Sequence, residues 1–199
     1  MRFAQAELDD RRGLWALDIG CGAARNAVPL AASGWNVLGV DLSTPMIAAA
    51  AHRAPSKRGA GHLRFAVAPM DEIPAAADSF DLVVAHGIWN LATSTAEFRR
   101  AVREASRVAR PGAGLFVFTF SRNTLPPNAQ PVHGETFVYT QFSGQPQCFL
   151  TDHQLLAELA DAGFVPAGGA PLVEHNRPRP GIFQSNAPVI YEGMFRYDL

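Results

Sequence analysis

Two carboxylates and two glycines have the residue types and the spacing of a site that binds a nucleoside. Gly20 and Gly22 follow an apolar run that contains Asp18, and a second apolar run ends in Asp41. Glycines let the backbone approach a ligand closely, and an acid about 20 residues later can accept both hydroxyls of a ribose. Asp18 stands among apolar residues, where an unpaired charge is costly, so it needs either loop amides or a cationic ligand group as its partner.

The same stretch disfavours a nicotinamide cofactor. The dinucleotide-binding fingerprint has a third glycine at the position that Arg25 occupies in this chain. We therefore expect a nucleoside ligand of another kind.

Short apolar runs alternate with helix-forming segments and position these residues. They predict strands at 14–19, 35–40, 63–68, 80–85 and 114–120, and helices at 23–33, 45–53, 95–109 and 152–162. Two later runs, 168–175 and 187–197, suggest an antiparallel hairpin at the sheet edge. The alternation is typical of an open parallel sheet, whose ligands lie at the carboxyl ends of the strands. Asp18, Asp41, Met70 and His86 fall at or just past such ends.

Several motifs, in order along the chain, resemble those of the class I S-adenosylmethionine-dependent methyltransferases. They are Leu17-Asp18-Ile19-Gly20-Cys21-Gly22, Gly39-Val40-Asp41-Leu42-Ser43, Pro69-Met70-Asp71-Glu72-Ile73-Pro74, Ser79-Phe80-Asp81-Leu82-Val83-Val84, the turn from Arg107 to Gly114, and Phe149-Leu150-Thr151 through Ala162-Gly163-Phe164. The likeness covers residues 14–175. It implies a Rossmann-like, doubly wound α/β fold with a mostly parallel seven-stranded sheet and a reversed last strand, in a single methyltransferase domain over residues 1–199.

The resemblance implies S-adenosylmethionine as the cofactor and S-adenosylhomocysteine as the product. The residues that it assigns to the cofactor are Asp18, Gly20, Cys21, Gly22, Arg25, Asp41, Leu42, Met46, Met70, Asp71 and His86. Asp41 would accept the ribose hydroxyls, and the Met70 N–H would meet the adenine ring. The chain departs from the family pattern at two positions. Ala24 replaces a frequent third glycine, and Pro69 stands where an adenine-binding acid is frequent, which shifts the nearest acid to Asp71.

Several of these assignments have a structural alternative. Asp41 either accepts the ribose hydroxyls or is a helix-capping or solvated acid. Arg25 either pairs with the cofactor carboxylate or is a solvated helix residue. Leu42 and Met46 would flank the adenine, although a methionine at helical spacing more often belongs to a core.

The segment His86-Gly87-Ile88-Trp89-Asn90 would line the methyl-transfer site of such an enzyme. His86 is the catalytic candidate, as a base or as an orienting donor, and the alternative is a structural histidine. Trp89 either faces the sulfonium or a substrate ring, or packs against the next helix. The Asn/Asp-Pro-Pro-Tyr/Phe motif of many nitrogen methyltransferases is absent, which disfavours adenine-N6 and glutamine as acceptors. The substrate-pocket candidates are Trp89, Asn90, His133, Tyr139 and Phe142.

Residues 121–150 are too long and too aromatic for a simple connection. They contain several prolines and glycines with aromatic residues between them. We expect them to form a lid or a substrate-facing insertion.

The composition of the chain limits the kinds of partner that it is expected to bind. The 199-residue chain has a formal net charge of −1, which gives no electrostatic reason to expect nucleic acid. One stripe on a predicted helix, Arg99, Arg103, Arg107 and Arg110, is either a solvated face or an RNA contact surface. Cys21 and Cys148 have no metal-ligand spacing, and no apolar run is long enough to cross a bilayer.

These observations predict a cytoplasmic enzyme that methylates a small molecule without a metal ion and without a nucleic-acid or membrane partner. The polar N-terminal segment, residues 1–12, does not have the pattern of a secretory signal. The alternatives are an RNA methyltransferase and a non-catalytic regulatory module that binds S-adenosylmethionine.

Overall fold

The apolar runs form strands, and the segments between them form helices. The computed structural model describes residues 2–8, 13–54, 61–168, 172–177 and 187–198. Its strands are β1 (Trp15–Ile19), β2 (Asn36–Asp41), β3 (Leu63–Val67), β4 (Phe80–His86), β5 (Ala109–Phe120), β6 (Val138–Tyr139), β7 (Gln147–Cys148), β8 (Phe164–Pro166), β9 (Val173–His175) and β10 (Ile190–Tyr197). Its helices are α1 (Arg2–Leu8), α2 (Ala27–Ala32), α3 (Thr44–Arg53), α4 (Thr95–Val108) and α5 (Asp152–Asp161).

One large sheet positions the site. Its strand order is β3-β2-β1-β4-β5-β10-β8, and β9 also pairs with β10. Strands β1 to β5 are parallel, whereas β10 is antiparallel to β5, β8 and β9. The predicted mostly parallel sheet with a reversed strand is confirmed. It has eight described strands rather than seven because β8 and β9 pair with different halves of β10; the predicted run at 168–175 lies partly outside the described residues.

The carboxyl ends of three neighbouring strands are level. Ile19 at the end of β1 pairs with Val40 of β2 and with Ala85 of β4. The loops that follow these strands therefore begin side by side. This register brings Gly20, Asp41 and the segment after β4 to one edge of the sheet, where ligands of such folds bind.

Helix α2 begins later than the sequence pattern predicts. It starts at Ala27 rather than at residue 23, because Gly22 and Ala24 have φ angles of +51° and +63°, which are incompatible with a right-handed helix. Pro29 consequently lies in the first helical turn, where its missing N–H leaves no hydrogen bond unmade.

Apolar side chains cover both faces of the central strands. Leu17, Ile19 and Val83 belong to the larger core cluster, on the side of α4 and α5. Ala16 and Leu82 belong to a second cluster, on the side of α1 and α2. This alternation follows the period of two in a strand and explains why β1 and β4 are nearly all apolar.

The predicted insertion at 121–150 is packed onto the body of the protein. Phe137, Val138 and Phe149 are fully buried in the larger core cluster. One guanidinium holds the start of the segment. Arg122 donates to Tyr139 Oη and to four backbone oxygens at 2.9–3.3 Å, those of Leu125, Pro126, Pro127 and Ala129.

Candidate cofactor site

The loop after β1 turns sharply at two glycines. Gly20 and Gly22 have φ angles of +67° and +51°, a region that favours glycine. A Cβ on Gly20 would lie 2.6 Å from Ile88 Cδ1, so a side chain there would collide with the loop after β4. The Cys21 N–H donates to Val40 O at 2.9 Å and ties the turn to β2. The turn therefore presents bare backbone at the edge of the sheet.

Ala24, which replaces the frequent third glycine, keeps a conformation that glycine prefers. Its φ is +63°, and its side chain is fully buried. This conformation costs an L-residue about 1 kcal/mol. The sequence departs from the family pattern at this position, and the backbone still adopts a conformation that glycine adopts readily.

Asp41 joins the loops that follow β1 and β2. Its Oδ2 accepts a hydrogen bond from Gly22 N at 2.9 Å, and its Oδ1 accepts one from Ser43 N at 2.8 Å. A carboxylate has about four acceptor positions, so it can still accept the two hydroxyls of a ribose.

Asp18 is a fully buried carboxylate, and neither of its oxygens meets hydrogen-bond geometry with a described residue. Burial raises its pKa from the ordinary 3.8 to about 7. The Asn26 side chain, the Ala27 amide and the Arg25 charge lie near enough to oppose this shift only in part. Of the two partners that the sequence left open, the loop groups at Asn26 and Ala27 offset the effect of burial only in part, and a ligand cation would favour the charged form of this carboxyl further.

A cavity of about 460 Å³ opens beside these loops. Its lining residues are Gly20, Asp41, Leu42, Ser43, Ala68, Pro69, Met70, Ile88, Leu91 and Glu97. Gly20, Asp41, Leu42 and Met70 are among the predicted cofactor residues. Leu42 and Leu91 are 73% and 49% exposed, so the mouth of the cavity is apolar.

The sequence patterns indicated only part of the remaining wall of this cavity. Ile88 and Leu91 belong to the loop after β4, which was expected to line the site without these two residues being singled out. Glu97 follows Ser94 in the spacing of a helix start, and Ser94 does cap α4 by accepting from Glu97 N. The spacing of Ser94 and Glu97 is typical of this capping role. It does not indicate that Glu97 also lines the cavity.

Seven predicted cofactor residues lie outside the set that lines the cavity: Asp18, Cys21, Gly22, Arg25, Met46, Asp71 and His86. Asp71 forms an ion pair with Arg100 on α4, with 3.0 Å between Oδ2 and Nε. Met46 lies on α3 with about half of its side chain exposed, outside the set that lines the cavity. The Cys21 thiol is buried, and burial raises its pKa to about 12, so it is a protonated core group.

His86 lies at the end of β4 beside Arg25. Arg25 Nη2 is 3.3 Å from His86 Nδ1, and the imidazole stacks on Phe118 with 4.3 Å between the ring centroids. Burial, and then the Arg25 charge, lower the pKa of His86 below its ordinary value. A guanidinium can only donate, so Nδ1 is the acceptor and the proton of the neutral ring is on Nε2. Of the two predicted roles, this tautomer suits a donor better than a base.

The substrate-pocket candidates after β4 differ in their surroundings. Trp89 is fully buried and packs edge-on against Phe98, which favours the packing alternative. Asn90 is also buried, and its Oδ1 has no hydrogen-bond partner among the residues described. A buried amide oxygen without a partner remains a candidate for contact with a ligand.

The candidates in the insertion are spread over its surface and interior. Tyr139 is buried, and its hydroxyl accepts from Arg122. Phe142 is partly exposed and packs against Phe149, and His133 is exposed. None of the three lines the cavity described above.

Most of the arginine stripe is neutralised by acidic neighbours. The ion pairs, each with 2.7 Å between nitrogen and oxygen, are Arg99–Glu158, Arg107–Glu104 and Arg110–Asp81. The pairs of Arg99 and Arg107 are those of a solvated helix face, the first of the two interpretations of the stripe. Arg110 is not part of the helix, because α4 ends at Val108 and Arg110 belongs to β5.

Within the described residues, no helix combines the length and apolar character needed to cross a membrane. The same residues contain no group of three or more histidine, cysteine or acidic side chains placed to hold a metal ion.

Comparison with known proteins identifies the family. Residues 17–118 match the model of a methyltransferase domain. The chain therefore belongs to the methyltransferase domain family, which confirms the resemblance to class I S-adenosylmethionine-dependent enzymes.

Named relatives support this assignment. The chain is 35% identical over 127 residues to the demethylmenaquinone methyltransferase of Corynebacterium efficiens, covering 63% of this chain and 50% of that protein. It is 29% identical over 166 residues to a ubiquinone biosynthesis O-methyltransferase of a Methylobacterium species, covering 82% of this chain and 64% of that protein. The chain thus spans between half and two thirds of the length of these relatives.

Solved structures agree on the fold. An S-adenosylmethionine-dependent methyltransferase of Methanosarcina mazei superposes with a TM-score of 0.71 at 23% identity, covering 95% of this chain and 94% of that one.

Proposed function

We propose that this chain binds S-adenosylmethionine in the cavity at the strand ends and transfers its methyl group to a small-molecule acceptor. The observation that carries the proposal is Asp41, whose carboxylate joins the glycine turn to the β2 loop at the mouth of this cavity. Membership of the methyltransferase domain family and the names of the relatives support it.

Each part of the site has a task in this proposal. Asp41 accepts the ribose hydroxyls, and the buried carboxylate of Asp18 attracts the ammonium group. The bare backbone at Gly20 allows close approach of the ligand. The cofactor supplies an activated methyl group, so the protein mainly aligns the acceptor and excludes water.

His86 orients the acceptor in this proposal. Its neutral ring keeps a proton on Nε2, and stacking on Phe118 fixes the plane of the imidazole. Nε2–H can donate to a ring oxygen of the acceptor. The relatives named for demethylmenaquinone and ubiquinone biosynthesis favour an aromatic, quinone-related acceptor.

We also propose one methyltransferase domain over residues 1–199 that acts in the cytoplasm on this small molecule, with no nucleic-acid or membrane partner. The insertion at 121–150 shares the larger core cluster with the sheet, which supports one folding unit. Both cysteines are free and buried, as is usual in a reducing compartment.

Calorimetry with S-adenosylhomocysteine tests the proposal. We expect saturable binding to the wild type and at least about tenfold weaker binding to Asp41→Ala, because charge-assisted hydrogen bonds are lost. Glu72→Ala, at an exposed acid outside the cavity, is the matched control and should bind as the wild type does.

Two outcomes would contradict this function. Well-folded protein that takes up no S-adenosylhomocysteine would exclude the cofactor. Binding of the cofactor without methyl transfer to any quinol or phenol acceptor would make the chain a non-catalytic module instead.

A further inference from the structure

The cavity is lined by a second carboxylate besides that of Asp41. Among the ten residues that line it, only Asp41 and Glu97 carry a charge. Asp41 belongs to β2, whereas Glu97 belongs to the first turn of α4. The cavity is therefore bounded by acids from two different elements.

The face of α4 shows where the Glu97 side chain lies. Residues 97, 100 and 104 share one face of a helix because they are spaced three and four apart. Glu104 accepts from Ile73 N at 2.7 Å, and Arg100 pairs with Asp71 at 3.0 Å. One turn earlier, Glu97 lines the same cavity as Pro69 and Met70, which lie at the start of that loop.

One oxygen of Glu97 already has partners within the protein. Oε2 accepts from Thr93 N and from Thr93 Oγ1, both at 2.7 Å. These bonds fix the carboxylate group and leave Oε1 as the oxygen for a ligand. The position at the start of α4 also favours a negative charge there.

The rest of the wall suits a flat apolar ring. Leu42, Met70, Ile88 and Leu91 line the space that the two acids bound. A nucleoside offers hydroxyl donors on its sugar and, in adenosine, an amino donor on its base. Asp71, the nearest acid to the position that Pro69 occupies, forms an ion pair with Arg100 instead.

We propose, on the basis of the proposed function, that Glu97 binds the amino group of adenine and makes the site specific for adenosyl ligands. The Met70 backbone at the adjoining wall completes the base-binding edge. Glu97 thereby replaces the acid that is missing at Pro69.

The test compares S-adenosylhomocysteine with S-inosylhomocysteine by calorimetry. Inosine has an oxygen in place of the amino group, so a carboxylate would face an acceptor. We expect wild type to prefer the adenosyl ligand by at least about tenfold, the value of one charge-assisted hydrogen bond. In Glu97→Gln the amide can still accept from Thr93 while its NH₂ donates to the inosine oxygen, so the preference should fall to about threefold or less.

Asp71→Asn is the matched control and should keep the wild-type preference, because Asp71 serves Arg100. Equal binding of both ligands by the wild type would overturn the inference even if Glu97→Gln did not fold. An unchanged preference in folded Glu97→Gln, or a loss of preference in Asp71→Asn, would also overturn it while leaving the methyltransferase proposal intact. If the wild type binds neither ligand, the proposed function is wrong and this inference is wrong with it.

Discussion

Two halves of the molecule are held together in different ways. The first runs from β1 to the loop after β2, residues 15–43, and the second runs from β4 through the insertion, residues 80–150. In the first half, backbone amides of Gly22 and Ser43 converge on Asp41 across two adjacent loops. In the second half, a side chain makes the connections, since Arg122 donates to four backbone oxygens within 121–150. A region built from backbone contacts suits a ligand that stays the same from one enzyme to another. A region built from side-chain contacts can change in sequence when the acceptor changes.

One charged residue of each half differs in burial and in partners, because Asp18 is fully buried and Arg122 is half-buried. Asp18 has no hydrogen-bonded partner among the described residues, whereas Arg122 has five acceptors around one guanidinium. A buried polar group that is satisfied stabilises a structure, and one that is not satisfied needs another explanation. We interpret Arg122 as a structural residue and Asp18 as a candidate for binding a ligand.

The pH dependence of stability provides the largest expected effect. The raised pKa of Asp18, about 7 against 3.8, means that folding favours the protonated carboxyl. Its contribution is present below pH 3.8 and is lost as the pH rises through about 7. Between about pH 5 and pH 8 the ligand-free wild type should lose about 2–3 kcal/mol that Asp18→Asn does not lose. Urea unfolding at both pH values measures the difference.

Glu72→Gln, at an exposed acid, is the control and should follow the wild type. Asp18→Asn should also bind S-adenosylhomocysteine more weakly at pH 8, because the charge opposite the ammonium group is removed. Equal pH dependence in Asp18→Asn and wild type would show that Asp18 is satisfied in the folded protein.

The next effect separates the two halves. Arg122→Met removes the five hydrogen bonds that the Arg122 guanidinium donates and should lower the free energy of unfolding by about 2 kcal/mol. Affinity for S-adenosylhomocysteine should change by no more than about twofold, because the cavity residues lie elsewhere. Arg103→Met, at an exposed position of α4, should change stability by no more than about 0.5 kcal/mol. A loss of affinity as large as the loss of stability would mean that the halves are coupled.

The sequence predicted the backbone-built half well, for a physical reason. Glycine spacing, apolar runs and the acid after β2 are local signals, and the geometry at Gly20, Gly22 and Asp41 depends on local turns and neighbouring strands. The parallel order and the reversed strand followed from the alternation and from the family resemblance.

The half built from side chains was less predictable, because its contacts join residues that are distant in sequence. Nothing near Asp71 indicates that Arg100 pairs with it, and nothing near Tyr139 indicates Arg122. Glu97 was missed because its spacing from Ser94 is typical of a helix start and does not indicate a cavity. Local patterns report local roles and do not show which side chains tertiary packing brings to a cavity.

The smallest effect tests the backbone-built half at Ala24. Ala24→Gly relieves a positive φ worth about 1 kcal/mol, but it removes a buried methyl worth about 0.8 kcal/mol and adds freedom to the unfolded chain. The net cost should therefore be below about 1 kcal/mol. Ala31→Gly, a buried alanine within α2, has no such relief and should cost about 2 kcal/mol. Urea unfolding of both variants isolates the contribution of φ, and equal costs would show that the turn at residue 24 is not in the left-handed region.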